Sequence, residues 1–414
     1  MEITPKLLAL LDTLFLLFSV AVAFCAIVGF AVYEPGLIRA KNTSALITKK
    51  IGVVAFSALL FLAIGYRLMF ATDTEGAAVL PFMDQAWTWR LWVHSPAKGE
   101  TVAHFYSNFV FQWLFAALNV MIVAGAVAER IRLFSFLFFT FAMTGFIYPI
   151  IGHWVWNTGF LYRAGFSDFA GASVVHLSAA CACLSGLLLI GPRLGKYSIT
   201  GKTLSIRGAN LPLAAMGALM IWIGFFGLNC GAQLSFSHLK DADNVASVFA
   251  STLMAGSGGV LAAMLFSRIF FTRVDMTFIL NGLLSSLVAI SANPVLTHID
   301  EAALLGASAA LVSLVLIMIL DRLRLDDPVG AIAVHGGGAI VGLMSIPLFE
   351  SDASFVTQFY GILAIAGFTF VSTFVVWWCI KILIGLRISE QDEISGLDVA
   401  DCGLEAYPEF IKTR

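Results

Sequence analysis

The feature of this sequence that most limits its fold is a series of long apolar runs. Runs of roughly 18–25 apolar residues are long enough to cross a bilayer as α-helices. Only 12% of the residues are charged and 59% are hydrophobic, whereas a soluble domain carries about 25% charged residues. The sequence therefore predicts an all-α polytopic membrane protein with eleven transmembrane helices. The predicted spans are 8–32, 49–71, 105–128, 133–152, 168–191, 211–234, 246–271, 276–294, 301–320, 330–348 and 356–385.

The distribution of lysine and arginine predicts how these helices cross the membrane. Cytoplasmic loops are enriched in both residue types. Most of the 24 Lys and Arg residues fall in the C-terminal tail and in alternate loops, beginning with the loop that holds Arg39, Lys41, Lys49 and Lys50. That side is predicted to be cytoplasmic. The N-terminus is then outside and the C-terminus inside the cell (inner) membrane, and 72–104 is predicted to be an outer loop.

Two histidines divide the predicted helices into two sets of five. His176 lies in the fifth span and His335 in the tenth. Because five is odd, successive sets must cross the membrane in opposite directions, which is the inverted-repeat plan of many transporters. The predicted parts are a first five-helix repeat at 1–192, a second at 193–350, an extra helix at 351–385 and a cytoplasmic tail at 386–414.

Both histidines are predicted to lie deep in the membrane. Asp168 begins its span, and eight residues at ~1.5 Å each place His176 about 12 Å further in, near the centre of a ~30 Å apolar layer. His335 enters from the opposite side and could meet it there. Ionisable residues at this depth are costly and usually functional. The alternative is a pair of neutral histidines, each satisfied by a neighbouring helix.

A second pattern consists of seven collinear stretches spread over nearly the whole chain. They are GLIRAKN (36–42), FQWLFAALNVMIVAGAVAERIR (111–132), GHWVWNTGFL (152–161), DFAGASVVH (168–176), WIGFFGLNCGA (222–232), DDPVGAIAVHGGGAIVG (326–342) and GLDVADCGLEAY (396–407). Together they resemble the ammonium transporter family (Amt/Mep/Rh), on its bacterial Amt side. DFAGASVVH is the most specific of them.

The resemblance implies a function and an assembly. The family forms homotrimers of eleven-helix subunits, each with one conduction path for ammonium or ammonia past twin pore histidines, which match His176 and His335. Asp168 matches a residue that holds the geometry of the outer mouth. An apolar path favours loss of the ammonium proton, because desolvation disfavours the charged form. Methylammonium is an equally acceptable substrate on these grounds.

The resemblance also assigns the outer mouth and gate. Phe111 and Trp156 match the aromatic cage that captures the cation, and cation–π contacts of about 0.5–2 kcal/mol suit this role. The mouth's usual serine is replaced by Ala232. The gate matches Phe115 and Leu228, with leucine where a second phenylalanine is expected. A leucine still excludes water, but the cation cage is expected to be weaker.

Further departures lie elsewhere in the chain. Phe225 replaces a tryptophan near the mouth, and Gly330 stands where an aspartate is usual. Glu34 and Pro35 replace part of an aromatic-Gly-Gly sequence at the cytoplasmic end of the first helix. In the tail, CGL (402–404) replaces His-Gly-Glu. The altered tail leaves open whether a PII-type signalling protein docks on the cytoplasmic face.

Two functions of different classes remain open at this stage. The first is a transporter or channel for ammonium or ammonia. The second is a sensor of the same fold, which binds ammonium and signals through its C-terminus or a fused signalling domain, with little or no flux. The sequence beyond Arg414 would discriminate between them, as would ammonium-dependent current in liposomes.

An enzyme is disfavoured, and no cofactor or metal is expected. The sequence shows no nucleophile–base set, no Gly-rich phosphate loop and no metal-type cysteine spacing. Haem ligation by histidine pairs would need more deep histidines than the two found. The other five are predicted in or near outer loops: His94, His104, His153, His238 and His298. A net charge of −2 gives no signature of a nucleic-acid partner.

Overall fold

The computed structural model describes residues 5–70, 102–200, 202–296 and 298–408, and the regular structure of these residues is helical. The predicted loop 72–104 falls outside them up to residue 101. Helices α1 to α11 are, in order, Pro5–Leu37, Ala40–Met69, Val102–Ala126, Leu133–Arg163, Ala172–Ile190, Leu211–Gly231, Leu239–Phe271, Met276–Ile290, Ile299–Arg322, Ile332–Phe349 and Phe355–Leu383. Two tail helices follow, α12 at Glu390–Ser395 and α13 at Leu397–Cys402.

Ten of these described helices are long and apolar enough to cross a membrane. The prediction of an all-α polytopic membrane protein is therefore confirmed. The remaining helix, α8, has 15 residues, which corresponds to about 22 Å. Its residues from Leu280 to Ile290 are all buried, so α8 is apolar because protein surrounds it. The count of eleven crossings and the orientation stay predictions.

The beginning of α2 differs from the sequence prediction. Lys49 and Lys50 are counted with the preceding loop in the sequence prediction, although they are also the first residues of the predicted span 49–71. In the structure both lie well inside a helix that begins at Ala40, and both are buried. Lys49 Nζ donates to the carbonyl oxygen of Ile131 at 3.4 Å, and Lys50 forms an ion pair with Glu34. The assignment of both lysines to a loop is wrong, because partners inside the protein satisfy their charges. A hydropathy average over one segment does not register such partners.

His153 is a second difference from the sequence prediction. It was expected to be exposed near an outer loop, but its side chain is buried within α4. Its Nδ1 lies 3.1 Å from the carbonyl oxygen of Met69. A histidine near the end of an apolar run can therefore serve as a packed and hydrogen-bonded residue.

Close approach of two helices organises one flank of the bundle. Glycines on α6 let its backbone lie directly against α1. A Cβ atom at Gly217 would be 2.4 Å from the amide nitrogen of Tyr33, and one at Gly224 would be 2.3 Å from that of Ala26. Small residues allow this contact in membranes, where packing and not hydrophobic exclusion drives helix association. The first and sixth helices are thereby joined along their length.

The tail packs against one end of the bundle, which we call the tail face. The backbone N–H of Leu397 donates to Oδ1 of Asn42 at 2.9 Å, and Asp398 Oδ1 accepts from the backbone N–H of Ala45 at 2.8 Å. Arg387 donates to the carbonyl oxygen of Ile190 at 2.9 Å. The tail is thus bonded to the start of α2 and to the end of α5.

Candidate functional site

Two helices begin with the same local sequence. Residues 168–176 and 327–335 both read D-x-x-G-A-x-x-V-H. In each, the glycine has a left-handed backbone, with φ of 94° at Gly171 and 76° at Gly330, which favours glycine over other residues. Gly330, noted as a departure from the family pattern, therefore has a structural explanation. Aligning the chain with itself would have revealed this repeat.

Asp168 closes the first of these turns. Its Oδ1 accepts backbone N–H groups of Gly171 and Ala172 at 3.0 and 2.8 Å. Its Oδ2 accepts those of Ser173 and Val174 at 2.7 and 3.2 Å, and also the Ser173 hydroxyl. The first N–H groups of a helix have no partner within it. The buried carboxylate supplies one and fixes the entry of α5.

Asp327 does the same at the start of α10. Its Oδ1 accepts from the backbone N–H groups of Val329 and Gly330 at 3.3 and 3.1 Å, and its Oδ2 from that of Ile332 at 2.8 Å. From the sequence alone, only the first aspartate has a predicted role. The signal for the second is the identical spacing of eight residues from aspartate to histidine.

Both turns lead into a π-helical segment that carries the histidine. These segments are Ala172–Leu177 and Ile332–Gly337. π-helical turns release backbone carbonyls from the helical ladder and are frequent at functional sites. The side chain of Asn119 donates to the carbonyl oxygen of Val175, and Ser313 Oγ donates to that of Ala333, both at 2.8 Å. Neighbouring helices thus hold each histidine segment in place.

The two histidine rings meet at the centre of the bundle. Nδ1 of His176 lies 3.1 Å from Nδ1 of His335, the ring centroids are 5.0 Å apart, and the planes differ by 15°. Both side chains are buried. A neutral imidazole has one donor and one acceptor nitrogen, so one Nδ1 donates and the other accepts. The contact is a single shared hydrogen bond between stacked rings.

Aromatic rings enclose this pair. Phe225 stacks against His176, with centroids 5.7 Å apart and planes 12° apart. On the other side, Phe30 lies 5.9 Å from His335. Phe225 is the residue that departs from the family's tryptophan, and it still presents an aromatic face. The imidazole pair is therefore a polar contact in otherwise apolar surroundings.

The predicted mouth residues form a line of rings. The centroids of Phe111 and Phe115 are 5.0 Å apart, and those of Phe115 and Trp156 are 5.5 Å apart. Trp156 Nε1 donates to the carbonyl oxygen of Asp168 at 2.7 Å. Trp156 is half-buried, whereas Phe111 and Phe115 are buried. In this line, Trp156 is the ring with an accessible surface.

The other two predicted residues lie one turn apart at the end of α6. The backbone N–H of Ala232 donates to the carbonyl oxygen of Leu228, at 3.1 Å. Leu228 is buried and Ala232 half-buried. Between them, Gly231 packs on the Phe111 ring, since a Cβ atom there would lie 2.4 Å from Cε2 of Phe111. The structure thus brings the end of α6 to the aromatic line.

A buried ionic network lies at the tail face, next to the turn that Asp327 closes. Asp326 Oδ2 accepts from Arg193 Nε and Oδ1 from its Nη2, both at 2.8 Å. Glu129 bridges Arg193 and Arg39. Arg130 donates to the carbonyl oxygen of Asp326 at 2.6 Å. In the sequence these arginines indicate only the orientation in the membrane, and hydropathy does not predict their burial in an ionic network.

Membrane-length helices that bring two polar rings together in an apolar interior define a class: this chain is a polytopic membrane protein with a buried polar site. A model of the Ammonium Transporter Family matches residues 13–407. The match covers nearly the whole chain, and the protein therefore belongs to the ammonium transporter family, which is a family of membrane transporters and not of enzymes.

Relatives and solved structures agree with this assignment. The chain is 31% identical to ammonium transporter Amt2 of Archaeoglobus fulgidus over 417 residues, covering 93% of this chain and 86% of that protein. It is 32% identical to ammonium transporter Amt1 of Haloferax mediterranei over 412 residues, covering 92% and 76%.

Two solved structures share the fold. A "Sensor Amt Protein" has a TM-score of 0.86 and 27% identity, covering 96% of this chain and 100% of that one. Mep2 of Candida albicans has a TM-score of 0.81 at 21% identity, covering 92% and 87%. The second likeness concerns the fold alone. The resemblance drawn from the motifs is thereby confirmed.

Proposed function

We propose that this protein conducts ammonium or ammonia, with methylammonium as an alternative substrate, through a path that passes the His176–His335 pair. The observation that carries the proposal is the 3.1 Å contact between the two buried Nδ1 atoms. A charged ion loses its hydration in such surroundings at a cost of several kcal/mol, whereas neutral ammonia does not carry this cost. The path therefore favours deprotonation of ammonium before passage and rejects potassium, which has no proton to release.

Cation capture precedes this step in the proposal. Trp156 offers the accessible aromatic face, and Phe111 and Phe115 continue the line of rings toward the bundle interior. Asp168 orients Trp156 through its carbonyl oxygen while its carboxylate holds the turn. Phe115 and Leu228 form the gate, and Ala232 borders the mouth without the hydroxyl that would have bound the cation directly.

The assembly and placement in the membrane follow the family. We infer a homotrimer in the cell (inner) membrane with the tail face in the cytoplasm. The two inverted repeats are supported by the matching turns at Asp168 and Asp327 and by the pairing of α1 with α6. A PII-type signalling protein or a fused signalling domain would approach at the tail face.

The decisive experiment compares currents in proteoliposomes. For His176→Ala we expect loss of the ammonium-induced current by about tenfold or more, or its replacement by a current that potassium also carries, because a polar contact worth ~1.4 kcal/mol or more is removed. The matched control is His298→Ala, an exposed histidine whose loss leaves the current unchanged. An ammonium-selective current of wild-type size in His176→Ala would refute the pore role.

The docked tail favours a second candidate, an ammonium sensor. The tail is bonded to α2 and α5, so a change in the helices would reach it, and the likeness to a "Sensor Amt Protein" is extensive. The two functions separate when binding and flux are measured on the same preparation. Ammonium binding by calorimetry without any current would establish the sensor, and current with binding would establish the transporter.

A further inference from the structure

A charged pair is buried between helices on the tail side of the histidines. Lys50 Nζ on α2 lies 2.5 Å from Oε2 of Glu34 on α1, and the two side chains are 0% and 1% exposed. Burying two charges costs free energy that their attraction often fails to recover, so such a pair is weak evidence of a stabilising role. Its presence in a membrane-spanning bundle therefore calls for another explanation.

The surroundings of the Lys50 ammonium group are those of a cation site. Besides the Glu34 carboxylate, the Met121 carbonyl oxygen accepts from Nζ at 3.1 Å, and the Phe30 ring lies 5.9 Å from it. A carboxylate, a carbonyl and an aromatic face are the groups that bind small cations. Gly125 makes room for the carboxylate, since a Cβ atom there would lie 2.2 Å from Oε2 of Glu34.

The position of this site relates it to the histidine pair. Phe30 contacts both, with its ring 5.9 Å from Lys50 Nζ and 5.9 Å from the His335 ring centroid. Tyr33, next to Glu34, donates its hydroxyl to Oδ1 of Asn281 at 3.0 Å. The site therefore adjoins His335 on the side of the bundle that leads to the tail face.

We propose that Glu34, the Met121 carbonyl and Phe30 form a second ammonium-binding site, which Lys50 occupies with its own ammonium group. A lysine headgroup carries the same charge as ammonium and offers three N–H donors where ammonium offers four. Lys50 is thus a tethered competitor that keeps the carboxylate paired when the path is empty. The inference rests on the proposed function in taking ammonium as the ligand.

The test removes the tethered competitor and keeps the apolar stem. Lys50→Met leaves the Glu34 carboxylate without its cation, and the purified variant is titrated with ammonium chloride by calorimetry. We expect one more bound ammonium per chain than in wild type. We also expect an ammonium-specific rise in Tm on the order of 3 °C over the wild-type response, because a ligand that binds only the folded state stabilises it. Choline chloride should have no such effect.

The neighbouring lysine provides the control. Lys49 is also buried in α2, but it contacts the Ile131 carbonyl and the Phe136 ring. Lys49→Met should therefore show the wild-type stoichiometry and no ammonium-specific stabilisation. The double variant Lys50→Met/Glu34→Gln removes the carboxylate as well and should return to the wild-type stoichiometry.

The outcomes separate this inference from the proposed function. Wild-type current together with an unchanged stoichiometry in Lys50→Met overturns the second site and leaves the transport proposal standing. Absence of both binding and current in wild type overturns the proposed function itself. If Lys50→Met folds only when purified in ammonium chloride, the site is supported. If Lys50→Met fails to fold in both ammonium chloride and choline chloride while the double variant folds, the site is refuted.

Discussion

The turns at Asp168 and Asp327 have the same backbone conformation, but aromatic residues surround the first and charged residues surround the second. Each places a histidine eight residues after a buried aspartate that accepts the first N–H groups of its helix. The first turn carries a tryptophan on its carbonyl oxygen and adjoins aromatic rings. The second is preceded by Asp326, which is bound to two arginines.

The comparison distinguishes the features common to both histidine segments from the features found on only one side of the pair. Both histidines are positioned by the same type of turn, which brings the two rings into contact. The aromatic side suits capture of a cation by ring faces, and the charged side ties several loops together at the tail face. The surroundings are thus asymmetric although the scaffold at the histidines is symmetric.

The largest effect should come from removing the two aspartates. Asp168→Ala leaves four backbone N–H groups and a hydroxyl without their acceptor, so we expect a loss of about 3–5 kcal/mol in the free energy of unfolding. Asp327→Ala leaves the backbone N–H groups of Val329, Gly330 and Ile332 without this acceptor and should cost about 2–3 kcal/mol. Unfolding in detergent measures both.

A third aspartate calibrates this comparison. Asp275 is an exposed N-cap of α8 that accepts from the backbone N–H of Thr277 at 2.8 Å, and Asp275→Ala should cost only about 1 kcal/mol. Equal losses in all three variants would show that the two histidine turns are ordinary caps. A larger loss for Asp327→Ala than for Asp168→Ala would reverse the assigned order.

A smaller effect should distinguish the turn at Asp327, with its neighbour Asp326, by the pH dependence of the free energy of unfolding. Burial alone would raise the pKa of the Asp326 carboxyl, but the hydrogen bonds from Arg193 and the charge of Arg130 outweigh it and hold this pKa well below its ordinary range. Because the folded-state pKa is depressed, the stabilisation is complete above the ordinary value of about 3.9. It is lost as the pH falls from there toward the folded-state pKa, on the order of 2 kcal/mol in all.

The variant Asp326→Asn tests this assignment. Asparagine carries no charge at any pH in this range, so the Tm of the variant should be lower than that of wild type near neutral pH. Its Tm should also fall less between about pH 5 and about pH 2, because this position has no charge to lose. The difference between the two proteins should narrow as the pH decreases. A constant difference across this range would assign the acid sensitivity to other carboxyls.

The smallest effect concerns the aromatic side. Leu228→Phe adds a ring at the end of α6, so we expect ammonium to bind about threefold more tightly, as one cation–π contact of ~0.5–1 kcal/mol allows. The flux should fall, because a larger side chain occupies the gate. Ile223→Phe, on an exposed face of the same helix, is the control. Unchanged affinity and flux would show that position 228 does not line the path.

The sequence predicts a polytopic membrane protein and most of its helices, because hydropathy depends on local composition. It also predicts that the two histidines meet, because they occupy corresponding positions in two sets of five helices. It does not predict that Lys49, Lys50 and His153 are internal. Their partners are Glu34 on the preceding helix and the backbone carbonyls of Ile131 and Met69. A hydropathy average over one segment contains no information about such contacts. The buried network around Arg193 escapes prediction for the same reason.

The second turn escapes for another reason. The pattern shared by 168–176 and 327–335 is present in the sequence, but only four of its positions other than the aspartate are fixed, and it becomes informative once the left-handed glycines and the carboxylate bonds are seen. Gly330 in particular reads as an absent acidic group until its backbone conformation is known.

The short helix α8 sets where the first turn is held. Its 15 residues reach about 22 Å, and the carbonyl oxygens of Ser291 and Ala292, just past its end, accept the backbone N–H groups of Ala170 and Phe169. The first turn is therefore anchored to the end of a helix that is shorter than a ~30 Å hydrocarbon layer. For the proposed path, an entrance at this turn would leave a permeant less apolar distance to cross than the surrounding lipid presents.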